Sequence, residues 1–212
     1  MQSKNKAFSL ICGLMLGVAA TLLAAAISLA VIHITGFPYC FFANPCADET
    51  GMALDEVWQN YNAVMHYLSP FFNGEFSLPT LAFSAGGAQH FADCKPIFNA
   101  VYILGALSGI LWAAAIARRK LLCRVLTVSG ITTLVLPAAI GIGCAMDFDK
   151  AFELFHKIFF SNDLWLFDPD TDPVINILPQ DFFLACAVFT AILIAMAAVA
   201  QLAAARLIER KA

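Results

Sequence analysis

The chain has 212 residues, of which 61% are hydrophobic and only 13% are charged, whereas soluble domains have about 45–50% and about 25%. A soluble globule of this length cannot hide so much apolar surface, because its outside must remain largely polar. The composition therefore excludes a soluble enzyme and a disordered segment. The net charge of -3 provides no basic patch, so a nucleic-acid partner is excluded as well.

Four segments are long and apolar enough to cross about 30 Å of hydrocarbon as helices, since each crossing needs about 20 residues. They contain no Asp, Glu, Lys or Arg, and they are residues 7–34, 96–117, 125–146 and 182–205. A cleaved signal peptide is the alternative for the first segment, but its apolar run exceeds the roughly 7–15 residues of a signal core. We expect this span to be retained.

Positive residues indicate which side of the membrane is cytoplasmic. Nine of the twelve Lys and Arg residues flank the spans on one side. This predicts both termini in the cytoplasm, with residues 35–95 and 147–181 outside. These two outer segments are rich in aromatic side chains and are expected to fold into a cap. The predicted fold is an all-α membrane protein, a four-transmembrane-helix bundle with an extracytoplasmic cap, forming one polytopic domain over residues 1–212.

The outer segments contain their own helical patterns. Apolar residues recur at three and four positions between Leu54 and Leu68, which predicts an amphipathic helix ended by Pro70. Ser84 is expected to cap a short helix before Pro96 begins the second span. Residues 148–159 carry a phenylalanine-rich stripe, and this helical face is expected at the membrane boundary, either in lipid or under the other segment.

Histidine is the side chain best suited to accept a proton near neutral pH. His90 precedes Asp93 by three residues, so on a helix the carboxylate can orient the imidazole; the alternative is a surface histidine near a helix cap. His156 lies beside the phenylalanine stripe, where apolar surroundings lower the pKa and keep the ring neutral. The alternative for His156 is a polar residue at the edge of an amphipathic helix.

Other chemistries have weaker support. The spacings His-x-x-x-His and Cys-x-x-Cys do not occur, so we expect no metal site and no cofactor. Cys40 and Cys46 are expected either as a structural disulfide or as free thiols. A thiol oxidoreductase would need a second outer pair, for which only Cys94 and Cys144 remain. An ion transporter is disfavoured because the predicted spans lack acidic and basic side chains.

Two stretches of the chain resemble signature segments of the bacterial lipoprotein intramolecular transacylase (Lit) family. The first covers residues 84–98 and contains His90-x-x-Asp93-x-Lys95. The second covers residues 152–165, includes Phe155-His156 and the run 162–165 (Asn-Asp-Leu-Trp), and continues through residues 172–183. The chain departs from the family at Cys94, where an apolar residue such as valine is usual.

The resemblance implies a membrane acyltransferase that moves the sn-2 acyl chain of a diacylglyceryl lipoprotein onto the α-amino group of its N-terminal cysteine. Its partners would be that lipoprotein and membrane lipid. The family's two catalytic histidines match His90 and His156; we expect His156 as general base and His90 as acid or oxyanion partner, or the reverse. Further residues expected to contact substrate are Asp93, Lys95, Phe155, Phe159, Phe160, Asn162, Asp163 and Trp165. The alternative is a non-catalytic membrane protein whose cap binds a lipid or protein.

Overall fold

The structure, a computed structural model, describes residues 2–70, 72–117 and 123–210, and within these ranges it consists of helices and loops without a β-strand. A 3-10 turn covers Tyr39–Phe41. The α-helices of the described residues are α1 (Gln2–Thr35), α2 (Ala43–Thr50), α3 (Leu54–Leu68), α4 (Ala85–Ala117), α5 (Cys123–Met146), α6 (Phe148–Phe159), α7 (Val174–Ile177) and α8 (Gln180–Glu209). The predicted all-α class is confirmed.

The long helices correspond to the predicted spans. Among the described residues, α1, α4 and α8 are long and apolar enough to cross a membrane, and they contain the first, second and fourth predicted spans. Helix α5 has 24 residues and includes the third predicted span; its part from Cys123 to Val135 is a shorter apolar helix. The count of four spans therefore stays a prediction.

Helix α4 differs from its prediction, because it runs without a break from Ala85 through Pro96 to Ala117. Proline lacks one backbone N–H and crowds the preceding turn, so the sequence favours a boundary there. The predicted cap is nevertheless present, since Ser84 Oγ accepts a hydrogen bond from the Gly87 backbone N–H at 2.9 Å. Ser84 thus starts one long helix rather than a short separate one.

The two amphipathic helices have the predicted extents. Helix α3 covers Leu54–Leu68 and ends just before Ser69 and Pro70. Helix α6 covers Phe148–Phe159, and the Asp147 side chain caps its first turn by accepting from the Lys150 backbone N–H at 3.0 Å. The apolar spacing predicted both helices, and Pro70 predicted where α3 ends.

The chain divides into two compact units, the first comprising Met1–Ser28, Val101–Met146 and Phe189–Ala212, and the second Leu29–Ala100 and Asp147–Val188. In the first unit, buried polar side chains bond to one another. Gln201 Nε2 donates to Thr133 Oγ1 at 3.2 Å, and Thr133 Oγ1 donates to the Gly17 carbonyl at 3.2 Å. Such bonds between apolar helices stabilise a membrane bundle, here by linking α1, α5 and α8.

The second unit has its own aromatic core. The ring of Tyr39 stacks on that of Tyr61 with centroids 3.7 Å apart, and its hydroxyl donates to the Ile177 carbonyl at 2.8 Å. The buried Cys46 thiol lies 3.8 Å from the same carbonyl. Cys40 and Cys46 are both free thiols, so the structure contains the second of the two states expected for this pair. This core fixes α3 and α7 within the unit that carries the functional site.

Candidate active site

Two histidines from separate segments of the second unit lie side by side. His90 is on the second turn of α4 and His156 is near the end of α6. Their ring centroids are 5.9 Å apart, with an angle of 34° between the ring planes. The two residues are only 6% and 7% exposed. Two imidazoles withdrawn from water at this distance can pass a proton to groups held between or beside them.

The hydrogen bonding of His156 leaves one ring nitrogen available. Nδ1 lies 2.7 Å from the Phe152 carbonyl oxygen, and because that oxygen is only an acceptor, Nδ1 carries the hydrogen. Nε2 is then the unprotonated nitrogen of the neutral ring. The ring stacks on Trp165 at 4.6 Å between centroids. Burial lowers the pKa of His156, and the bond to Phe152 partly offsets this effect.

His90 has a different environment. Its Nε2 lies 3.5 Å from Cys94 Sγ, whereas its Nδ1 is buried and has no hydrogen-bond partner among the described residues. Phe160 meets the ring edge-on at 4.8 Å between centroids, and Phe167 does so at 5.5 Å. An unpaired buried polar atom is costly, so Nδ1 of His90 is a group that a bound substrate can satisfy.

The start of α4 is held by the segment that follows α6. Asp172 is buried, and its Oδ1 accepts from the Ser84 backbone N–H at 2.7 Å. Asp172 also accepts from Thr171 Oγ1 at 2.9 Å. A Cβ on Gly87 would lie 2.1 Å from Asp172 Oδ1, so a larger residue fits at this position only if the Asp172 carboxylate moves. Since His90 is three residues after Gly87, this contact sets the placement of the His90 turn.

Asp93 does not orient His90 as the spacing suggested. Its Oδ1 accepts from Gln89 Nε2 at 2.7 Å, and its Oδ2 accepts from Asn162 Nδ2 at 3.0 Å. Neither ring nitrogen of His90 bonds to Asp93: Nε2 lies next to Cys94 Sγ, and Nδ1 has no partner among the described residues. Asp93 and Asn162 instead connect α4 to the segment after α6, so they support the distance between the two histidines.

Lys95 also has a different place from the one expected. Its Nζ donates to the Tyr67 carbonyl at 2.8 Å and makes a short hydrogen bond to the Phe72 carbonyl. The ammonium lies 4.6 Å from the centroid of the Tyr67 ring. Lys95 therefore ties α4 to the end of α3 and the following loop, and two of its three donors are already used. Asp163 is exposed, and its carbonyl accepts from the Leu166 N–H at 3.1 Å.

The four predicted aromatic residues divide into two groups. Phe160 and Trp165 contact the imidazoles directly, and Phe155 meets His156 edge-on at 5.4 Å between centroids. Phe159 packs on Phe155 at 4.8 Å, one ring further from the histidines. Phe155 and Phe159 are exposed at the surface of α6. The structure thus supplies a wall beside the imidazoles and an apolar path leading away from it.

Sequence reasoning missed three residues that shape the site. They are Phe167, which contacts His90, and the pair formed by Gly87 and Asp172. Asp172 lies in the segment that carries the family resemblance, but nothing in the sequence indicated its contact with residues 84 and 87. Within the described ranges, no three His, Cys, Asp or Glu side chains are grouped as metal ligands.

Comparison with known proteins identifies a consistent family. The sequence profile of the lipoprotein intramolecular transacylase Lit matches residues 12–183. The crystallised membrane-integral lipoprotein intramolecular transacylase Lit from Bacillus cereus is 28% identical, with a TM-score of 0.86, and the match covers 97% of this chain and 98% of that one. A form of that protein with one histidine changed to alanine has a TM-score of 0.84 at 28% identity, covering 99% and 97% of the two chains. No curated protein matches the chain.

Proposed function

The chain belongs to the lipoprotein intramolecular transacylase (Lit) family and is a membrane acyltransferase, and we propose that it moves the sn-2 acyl chain of a diacylglyceryl lipoprotein. The acceptor is the α-amino group of the lipoprotein's N-terminal cysteine, and the product is a lyso-form lipoprotein. Family membership favours catalysis over the alternative of a non-catalytic lipid-binding or protein-binding cap. The observation that carries the proposal is the buried pair of imidazoles, 5.9 Å apart.

His156 acts as the general base. As the neutral amine attacks the ester carbonyl, a new N–C bond forms and the amine nitrogen must lose a proton. Nε2 of His156 is able to take it, because Nδ1 is occupied by the Phe152 carbonyl. Burial also favours the neutral ring over the imidazolium. The imidazolium formed in this step then protonates the departing glyceryl oxygen as the ester C–O bond breaks.

His90 acts as the partner that stabilises the developing oxyanion. Its Nδ1 is buried and no residue that the structure describes bonds to it, and a donor placed at the site of developing charge lowers the barrier most when water is absent. The thiol of Cys94, next to Nε2, supports the form of the ring with its hydrogen on Nδ1. No net proton leaves the site, because the proton from the amine ends on the glycerol.

The rest of the rate enhancement comes from the proximity of the reacting groups and from the exclusion of water. Both reacting groups belong to one molecule, so holding them in contact makes the reaction effectively unimolecular. Phe160, Phe167 and Trp165 surround the imidazoles, and these rings exclude the water that would otherwise hydrolyse the ester. They also suit the acyl chain that must lie next to the carbonyl.

The proposed topology places the site outside the cell. We propose four spans with both termini in the cytoplasm, and with residues 35–95 and 147–181 on the extracytoplasmic side as a cap. The distribution of Lys and Arg supports this orientation. The lipoprotein substrate is anchored by its acyl chains in the outer half of the membrane, so the reacting ester and the two histidines would lie at a similar depth.

The test compares histidine variants by mass spectrometry of lipoprotein N-termini. His156→Ala and His90→Ala should each lower formation of the lyso form by about 10²–10⁴-fold, which is the usual contribution of a positioned acid–base group. His66→Ala is the matched control, because His66 is exposed and packs on Phe72 in a different part of the unit. Full activity of both site variants in folded protein would refute the proposal.

A further inference from the structure

Helix α6 carries an apolar surface that no described part of the chain covers. The side chains of Leu154, Phe155, Ile158 and Phe159 are between 45% and 67% exposed. They form two neighbouring pairs at a spacing of four residues, so they share one face of the helix. Soluble monomers rarely expose contiguous apolar patches of large side chains. This face, defined by residues 154, 155, 158 and 159, is called the α6 apolar face below.

The other sides of α6 are already accounted for. One side packs on the unit through Phe152, whose ring lies 5.5 Å from that of Phe183, and through the buried His156. Another side carries charges that pair with each other, Lys157 with Glu153 and Lys150 with Asp147. The helix thus has a protein-facing side, a charged side and the α6 apolar face. A helix with this division is suited to lie flat where lipid meets water.

The position of α6 in the chain favours lipid as the occupant of this face. A single residue, Asp147, separates α6 from α5, whose last turns expose Ile142 and Met146. The chain belongs to a membrane-integral family, so the α6 apolar face follows closely, along the sequence, a segment expected in hydrocarbon. The Lys and Glu on α6 are paired, and α6 therefore gains no particular attraction for anionic headgroups. Burial of apolar side chains is the driving force that remains.

We propose that α6 lies in the membrane surface, with Leu154, Phe155, Ile158 and Phe159 among lipid acyl chains, and that substrate acyl chains reach His156 across this face. Adjoining aromatic rings provide the apolar surface for this route. Phe159 packs on Phe155 at 4.8 Å, and Phe155 meets His156 at 5.4 Å. A chain in the bilayer therefore reaches the base without crossing water. The route rests on the proposed function, whereas the lipid contact does not.

Photocrosslinking tests the lipid contact independently of activity. Protein carrying benzoylphenylalanine in place of Ile158 is reconstituted in palmitoyl-oleoyl-phosphatidylcholine vesicles. After irradiation, its intact mass is measured by mass spectrometry. The expected result is an adduct of protein plus one phospholipid. The matched control replaces the adjacent Lys157, on the charged side, and should give several-fold less adduct. Crosslinked dimers at position 158, or equal adduct at both positions, would overturn the proposal.

The route is tested by kinetics in the same vesicles. Ile158→Glu places a charge on the α6 apolar face without touching either imidazole. We expect the KM for a diacylglyceryl lipopeptide to rise several-fold while kcat is preserved, and we expect no change in Lys157→Gln. In a further variant, benzoylphenylalanine replaces Leu154 in the Ile158→Glu background. If the KM is unchanged and the lipid adduct still forms at position 154, the route is overturned and the lipid contact stands. Because wild-type turnover is measured alongside, failure of the proposed reaction itself would be recognised separately.

Discussion

Gly87 offers the sharpest test of how the second segment positions the first histidine. In Gly87→Ala the new Cβ would begin 2.1 Å from Asp172 Oδ1. Contacts below 3.0 Å are essentially never made by real Cβ atoms, so the buried carboxylate must move by nearly 1 Å. That movement weakens its bond from the Ser84 N–H, now 2.7 Å. A hydrogen bond to a charged group contributes about 1.5–3 kcal/mol.

The same substitution has an opposing effect. Replacing glycine by alanine inside a helix stabilises it by about 1 kcal/mol, so the expected net loss for Gly87→Ala is about 0.5–2 kcal/mol. Gly86→Ala is the matched control from the same turn, because its nearest contacts are 3.4 Å and 3.5 Å, which are ordinary. This variant should be as stable as wild type or more so.

The assay combines thermal unfolding in detergent with lyso-lipoprotein formation. Gly87→Ala should lower both the Tm and the activity, whereas Gly86→Ala should lower neither. In an Asp172→Ala background the Gly87→Ala change should cost nothing, since the clashing oxygen is gone. If Gly87→Ala matches Gly86→Ala in stability and rate, the idea that Asp172 holds the His90 turn is refuted.

Three further outcomes are expected. Protonation of the substrate amine should give a slope of 1 in log rate against pH. Because burial lowers the pKa of His156 below the ordinary histidine value of about 6.5 and the proposed base is the neutral ring, the slope should steepen to 2 only at a pH below that value. This second limb should disappear in His156→Gln. Asp93→Ala and Asn162→Ala should each reduce kcat. In a double-mutant cycle their effects on kcat should be non-additive, because the two residues share one hydrogen bond. Additive losses of kcat would contradict this role. Nitrogen-15 NMR of the His90 ring should show hydrogen on Nδ1 in wild type and in Cys94→Ser. In Cys94→Val, where no thiol faces Nε2, it should show a mixture of tautomers. Identical spectra in all three proteins would refute the role given to Cys94.

The spacing of apolar residues predicted a helix correctly where the helix buries one apolar face. Helices α3 and α6 followed from apolar spacing, and they are found as expected. The prediction that a helix begins at Pro96 was wrong. It rested on the preference of proline for the first turn of a helix, whereas the start of α4 is fixed by contacts of other residues. The cap at Ser84 and the Asp172 contact lie 12 and 76 residues away from the proline along the chain. Long-range contacts of this kind leave no periodic trace.

The candidate site shows the same division between local and distant information. The approach of His90 and His156 was expected from the family resemblance, whereas spacing within either segment gave no reason for it. Asp93 was assigned to His90 because residues three apart share a helix face, but Gln89 and Asn162 compete for the same carboxylate. Asn162 is 69 residues away in the chain, so only the folded structure reveals that competition.

The geometry of the pair also limits how it can work. Two imidazolium ions 5.9 Å apart in a buried site would repel each other. Burial and, next, the charge of His156 lower the pKa of His90 to about 4, and the nearby Asp93 carboxylate offsets only part of this. The pair therefore binds at most one additional proton, and its two rings titrate as a coupled system. Aminolysis of an ester within one molecule needs this capacity, because one proton leaves the amine and one returns to the glyceryl oxygen. A hydrolase with the same pair would have to admit water past Phe160 and Trp165. In the proposed reaction the apolar wall, and not the histidines alone, would therefore direct the acyl group to nitrogen.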